Sequence, residues 1–279
     1  MRKILLSEIT KTVMELLLEA NTHLGEDVFS RLKQAITQEE SKLGKSIIEQ
    51  IVKNDEIAKD ELVPMCQDTG MVVIFLEIGS QVVWEGDLDQ AINEGVRLAY
   101  QKGYFRKSVV DHPLLRLNTQ DNTPAIIHTK IVPGENIKIT AAPKGGGAEN
   151  VSLVKMLIPA DGKEGIKKLV LQTIKEAGGK PCPPIIVGLG IGGNLEKAAL
   201  MAKEALMRDL NDETSDPTMR ALEQELLQEI NNLGIGPMGL GGRITALAVK
   251  INYYPTHIAS LPVAINLQCH AARHQSRVI

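Results

Sequence analysis

Pro64-Met65-Cys66-Gln67-Asp68-Thr69-Gly70-Met71-Val72-Val73-Ile74-Phe75-Leu76 is where the chain changes character. Positions 66 to 69 hold a thiol, an amide, a carboxylate and a hydroxyl, and six apolar residues follow from Met71. A core segment would be apolar throughout, and a solvated loop has no use for a cysteine. The first half therefore reads as a site loop and the second as a strand leaving it. Upstream, Ile9, Val13, Leu16, Leu17 and Ala20 recur at helical spacing. Val28, Leu32 and Ile36 resume that pattern past His23-Leu24-Gly25, and Leu43, Ile47, Ile48, Ile51 and Val52 form a third stripe. Residues 1–62 are thus expected to be mainly helical and residues 63–279 a mixed part, the whole being a single α+β domain.

Downstream, Asp87 or Asp89 caps a helix carrying Leu88, Ile92, Val96 and Ala99 that ends near Gly103. The segments Ala125 to Val132 and Asn136 to Ala142 flank Pro133-Gly134-Glu135 and predict a hairpin. Lys144-Gly145-Gly146-Gly147 then opens a predicted helix through Val151, Leu153, Val154 and Met156. Glycines between a strand end and a helix leave backbone N–H groups able to face an anion, and Lys144 adds charge. A helix from Glu164 to Ala177 leads through Gly178-Gly179 to Cys182 and the strand Ile185-Ile186-Val187. Next, Gly188-Leu189-Gly190-Ile191-Gly192-Gly193 matches G-x-G-x-x-G, but the second strand with a terminal acid that a dinucleotide site needs is missing. Asp209 and Asp212 sit at a helix end instead. This segment reads as a glycine-rich turn lining a site.

A net charge of −3, scattered Lys and Arg, and 3% aromatic residues give neither the basic patch nor the stacking platform of a nucleic-acid binder. Glu8, Lys11 and Glu15 interrupt the apolar run at the N-terminus, and no later run reaches membrane-spanning length. A cytoplasmic protein acting on a small molecule is the expectation. The three cysteines, Cys66, Cys182 and Cys269, lie 116 and 87 positions apart, which excludes C-x-x-C pairs. Each stands at the edge of a predicted strand, so the fold is expected to bring them together. Three thiolates suit either a zinc with His257 or His270 as fourth ligand, or an iron–sulfur cubane with one iron left open. An open iron is a Lewis acid for a substrate hydroxyl. Asp68, two residues from Cys66, is placed for proton transfer or hydroxyl binding. Arg106, Lys144 and the Gly145 to Gly147 amides are candidates for holding a carboxylate, and His257 or His270 for donating to it. A zinc-stabilised module, a nucleotide-binding module using Gly188 to Gly193, and a non-catalytic scaffold are the readings from other classes.

Several of these stretches occur together, in order, from about residue 10 onward. They are Cys66-Gln67-Asp68-Thr69-Gly70, Lys144-Gly145-Gly146-Gly147, Gly239-Leu240-Gly241-Gly242, Pro255-Thr256-His257-Ile258-Ala259-Ser260-Leu261-Pro262-Val263 and Gln268-Cys269-His270-Ala271-Ala272-Arg273-His274. In them the chain resembles the class I fumarate hydratase family, and more narrowly the alpha subunit of two-subunit fumarate hydratases and L-tartrate dehydratases. The resemblance implies a 4Fe-4S cluster held by Cys66, Cys182 and Cys269, with its fourth iron on the dicarboxylate. It implies substrate contacts from Gln67, Asp68, Arg106, Lys144, Gly145 and Gly146, with Asp68 as proton donor or hydroxyl ligand and His257 close by. It also implies a beta subunit bearing the threonine base and further Arg and Lys ligands, in an α2β2 assembly. The expected reaction is hydration of fumarate to (S)-malate, with dehydration of tartrate to oxaloacetate as the alternative.

Overall fold

The apolar stripes of the sequence fold largely as their periods dictate. The computed structural model describes residues 1–279. Its elements are β1 (Arg2–Lys3), α1 (Leu6–Thr22), α2 (Glu26–Gln38), α3 (Lys42–Glu61), β2 (Met71–Gly79), β3 (Val82–Val83), α4 (Leu88–Lys102), β4 (Ile126–Val132), β5 (Ile137–Lys144), α5 (Gly146–Glu149), β6 (Leu153–Leu157), α6 (Gly162–Ala177), β7 (Ile185–Gly192), α7 (Leu195–Ala205), α8 (Pro217–Asn231), β8 (Ala246–Tyr254), β9 (Leu261–Gln268) and β10 (Gln275–Val278). The fold is α+β, and no helix is long and apolar enough to cross a membrane. Two compact units are interleaved along the chain. The first comprises Met1–Gly25, Asn54–Gly146 and Arg273–Ile279, and the second comprises Glu26–Lys53 and Gly147–Ala272.

The first unit is built on a four-stranded sheet ordered β10-β5-β2-β4. Strand β2, apolar on both faces, is central: it pairs antiparallel with β5 and parallel with β4. The predicted hairpin of β4 with β5 is therefore wrong. The end of β2 lies between them, with Gly79 N–H donating to Asn136 O and Ser80 N–H to Val132 O. A period of two identifies strands but not their partners. Helices α1 and α4 bury Ile9, Val13, Leu16, Ile92, Val96 and Tyr100 with Ile74, Leu76 and Ile139 of the sheet. Each fully buried aliphatic side chain there contributes roughly 2 kcal/mol. Asp87, not Asp89, caps α4, accepting Gln90 N–H at 3.0 Å.

The second unit carries the sheet β6-β9-β7-β8. Two expectations change here. Helix α5 is a single turn, and the segment expected to continue it is strand β6, antiparallel to β9. Its Leu153-Val154-Lys155-Met156-Leu157 is too short and too uniformly apolar for periodicity to separate helix from strand. Likewise Gly188 to Gly192 is not a turn but the second half of β7. A Cβ on Gly190 would stand 2.0 Å from Ala198 O and one on Gly188 2.2 Å from Ala202 O, so these glycines let α7 lie directly on the sheet. The core sets Ile166, Val170 and Ile174 of α6 with Leu222, Leu226 and Ile230 of α8 against the sheet residues Val187, Leu189 and Ile265. In the same unit Glu39, 1% exposed, accepts the N–H groups of Ser41, Arg243 and Ile244 at 2.8 to 3.0 Å. Burial alone would raise its pKa, but these bonds to the charged form outweigh it and hold the carboxyl below its ordinary 4.5.

Candidate functional site

Backbone geometry makes the loop 66–70 a holder for Asp68. Gly70 has φ +78°, a left-handed turn that an L side chain resists. In this conformation its N–H donates to Asp68 Oδ1 at 3.0 Å. The second oxygen, Oδ2, accepts Gly146 N–H at 2.8 Å. That donor comes from the end of β5, whose Lys144 pairs with Met71 at the start of β2. The sheet register thus delivers Lys144-Gly145-Gly146 beside Asp68. One amide on each oxygen fixes the carboxylate plane, and each oxygen keeps a further lone-pair direction for another group.

The loop is clamped from behind as well. The carbonyls of Asp68, Thr69 and Gly70 each accept a hydrogen bond from a side chain of the same unit. Arg273 Nη2 donates to Asp68 O at 2.7 Å, Tyr100 Oη to Thr69 O at 2.5 Å and to Gly70 O at 3.1 Å, and Asn122 Nδ2 to Gly70 O at 3.1 Å. Burial raises the pKa of Tyr100 well above its ordinary 10, so its phenol remains a donor. Thr69 Oγ1 donates to Arg106 O at 2.7 Å, which places the Arg106 backbone next to the loop while its side chain stays exposed. Gln67 is exposed, Asp68 half-buried and Lys144 buried. The first unit therefore assembles Cys66, Gln67, Asp68, Arg106, Lys144, Gly145 and Gly146 along neighbouring segments.

The other predicted residues belong to the second unit. Cys182 follows Pro181 on a turn at φ +54°, its N–H donating to Gly179 O. A non-glycine residue held there stores strain of about 1 kcal/mol, a feature concentrated at functional sites. Cys269 follows directly on β9, and His270 N–H reaches Cys182 O at 3.4 Å, so the two cysteine loops meet. His257 is exposed on the β8–β9 connection, where its Nδ1 accepts Ala259 N–H at 3.1 Å, leaving Nε2 as the donor of the neutral ring.

All three cysteines are half-buried thiols on loops at strand ends rather than members of either core. Within neither unit do three or more His, Cys, Asp and Glu side chains converge on one metal ion. Three half-buried thiols are a donor set that fits, chemically, a cluster taking a single thiolate per iron.

A polar cleft of about 290 Å³ also lies in the second unit. Its charges are consumed internally: Lys250 Nζ binds Asp212, and Arg208 binds both Asp212 and Glu223. Sequence reasoning missed Tyr100, Asn122 and the clamping role of Arg273. Tyr100 lies on the apolar stripe of α4 and reads as core, and nothing in a sequence marks an arginine as buried.

Comparison with known proteins adds an independent finding. A family model described as Fumarate hydratase (Fumerase) matches residues 10–278. A Methanocaldococcus jannaschii protein with the provisional name L(+)-tartrate dehydratase subunit alpha is 46% identical over 273 residues, 95% of each chain. The L(+)-tartrate dehydratase subunit alpha of Escherichia coli K12 is 30% identical over 276 residues, 98% of this chain and 91% of that one. That of strain UTI89 is 31% identical over 270 residues, 96% of this chain and 89% of that one.

Proposed function

The chain belongs to the fumarate hydratase family and is a hydro-lyase, and from that premise we propose that it is the alpha subunit of an iron–sulfur enzyme dehydrating a four-carbon 2-hydroxy dicarboxylate. The observation that carries the proposal is Asp68, fixed by one backbone amide on each oxygen two residues from Cys66. L(+)-tartrate is the first substrate to test, because the relatives at 46%, 31% and 30% identity bear that name. Interconversion of fumarate and (S)-malate is the second reading, favoured by the description of the family model.

In this proposal Cys66, Cys182 and Cys269 hold a 4Fe-4S cluster, and when bound the cluster supplies a Lewis acid for the departing hydroxyl. The remaining roles fall to the chain itself. Asp68, oriented by Gly70 and Gly146, donates a proton to the leaving oxygen or hydrogen-bonds the substrate hydroxyl. Lys144 and the Gly145 N–H receive one carboxylate beside Gly146, whose own N–H holds Asp68, while Arg106 takes a carboxylate or its approach path and Gln67 a further substrate oxygen. His257 offers its Nε2–H to the same anion. The base that removes the proton from the neighbouring carbon comes from a beta subunit, and the resemblance to two-subunit members of the family makes α2β2 the proposed assembly.

The test is to co-produce the chain with its beta subunit, reconstitute it anaerobically and measure iron, acid-labile sulfide and turnover of L(+)-tartrate and fumarate. About four irons and four sulfides per chain, reduced in Cys182→Ser, with turnover of at least one substrate, is the expected result. Zinc without sulfide, or a full cluster with neither dehydration of L(+)-tartrate nor hydration of fumarate, would sink the proposal.

A further inference from the structure

Arg273 is 2% exposed, one of the largest fully buried side chains of the molecule. Its two hydrogen-bond partners are Asp68 O at 2.7 Å and Asn21 Oδ1 at 3.3 Å, neither of them a carboxylate, and its Nε has no partner. Asn21 cannot follow the guanidinium elsewhere. It is itself fully buried, its Nδ2 donates to Leu17 O, and its carbonyl accepts Met65 N–H, one residue before Cys66. Burying a guanidinium forfeits hydration that neutral partners do not return in full, which is why buried arginines are ordinarily paired with an acid. Two neighbouring carbonyls of the same loop are held by uncharged donors, Tyr100 and Asn122. A clamp alone has no need of a charge at the third.

Position gives the charge a purpose. A Cβ built on Gly145 would stand 3.2 Å from Asp68 Oδ2 and 3.8 Å from Arg273 Nη2, so carboxylate and guanidinium border the same face of that glycine. The Asp68 carboxylate and an incoming dianion are the negative charges available to this face. Resting on the dicarboxylate reading above, we propose that Arg273 is a positioning and specificity residue: it fixes Asp68 through its carbonyl, and its charge, hydrogen-bonded to no carboxylate, makes the Gly145–Gly146 floor favour a doubly anionic substrate. The chemistry recognised is a second carboxylate. Monoanionic 2-hydroxy acids are expected to lose this contribution.

The experiment uses the assembled two-subunit holoenzyme with L(+)-tartrate and fumarate, comparing wild type, Arg273→Gln, Arg273→Lys and Asn21→Asp. Arg273→Gln should raise KM at least tenfold. Arg273→Lys should keep KM within about threefold of wild type while kcat falls about tenfold, since one ammonium cannot span both Asp68 O and Asn21. Asn21→Asp leaves the arginine and its packing in place but supplies the missing carboxylate. It should raise KM severalfold, whereas a merely structural arginine would be unharmed or better held. Wild-type KM in Arg273→Gln and Asn21→Asp, or equal KM defects in the glutamine and lysine variants, overturns the proposal. Amide hydrogen exchange over residues 68–70 of the full chain supplies a readout that needs no turnover. Both Arg273 variants should exchange there at least tenfold faster with the second-unit strands unchanged. If the wild-type holoenzyme neither dehydrates L(+)-tartrate nor hydrates fumarate, the functional reading has failed, and unchanged exchange in this segment separately refutes the positioning role.

Discussion

Glu39 of the second unit and Asp68 of the first are both carboxylates held by backbone amides close to glycines, and the two are satisfied to different degrees. Glu39 of the second unit is sealed, both oxygens occupied by the amides of Ser41, Arg243 and Ile244. Asp68 of the first unit takes one amide per oxygen and stays half-buried. Saturation makes a strut, whereas partial satisfaction makes an oriented group with capacity to spare. Cradling of a carboxylate is therefore no sign of function until its remaining valence and exposure are counted.

The sharpest way to break that contrast is Asp68→Asn. Turnover by the cluster-loaded holoenzyme should fall by about 10²–10⁴-fold, with thermal stability nearly unchanged; a wild-type rate would make Asp68 a strut like Glu39. Glu39→Gln should do the reverse. It places an amide among donors and costs about 3 kcal/mol, read as a lower urea midpoint, while the folded fraction keeps its specific activity. The pH dependence follows in sign. Because the pKa of Glu39 is lowered on folding, its contribution is fully present above about 4.5, the ordinary value, and is lost as pH falls through the lower folded value. The gap between wild type and Glu39→Gln should accordingly close in unfolding curves taken below pH 4.5.

A third carboxyl sharpens the comparison from the other side. Asp55, 3% exposed with neither oxygen hydrogen-bonded, is pushed by burial from 3.8 up to about 7. Here the folded state binds the proton more tightly, so stability is highest below pH 3.8 and declines as pH rises toward 7. Asp55→Asn should stabilise the chain by on the order of 2 kcal/mol at pH 8 and by nearly nothing at pH 4. Equal gains at both pH values would refute the buried, proton-bearing carboxyl. The smallest effect is expected of Gly146→Ala. Its Cβ would lie an ordinary 3.9 Å from Asp68 Oδ2 and its N–H survives, so stability should move by less than about 0.5 kcal/mol and kcat/KM by less than tenfold.

Much of this arrangement was legible in the sequence, and the misses share a physical cause. Stripes of Ile, Leu and Val located the helices because a 3.6-residue period is local. The strand after Gly70 was legible for the same reason. The hairpin error at Pro133-Gly134-Glu135 arose because strand partners are chosen by long-range burial, and β2, central and apolar on both faces, took both neighbours. The glycines at 188 and 190 matched a ligand-binding pattern since close approach looks the same in sequence whether a phosphate or the Ala198 turn of α7 does the approaching. Asp68 and the Lys144 loop could be picked out as unusual mixtures of residue types. Arg273, Tyr100 and Asn122 could not, because their importance lies in which carbonyl each one reaches.

Strand β10 carries a consequence for biosynthesis. It pairs with β5 in the first unit's sheet, Ile279 exchanges backbone hydrogen bonds with Ile137, and Arg273 just ahead of it secures Asp68. Between β5 and β10 the chain lays down most of the second unit. A nascent chain emerging from the ribosome can thus build most of the second unit while the first still lacks an edge strand and the site loop its guanidinium. The Asp68 loop gains its Arg273 clamp last, when residues 273–279 arrive, so a message truncated before them yields a largely folded but unfinished protein.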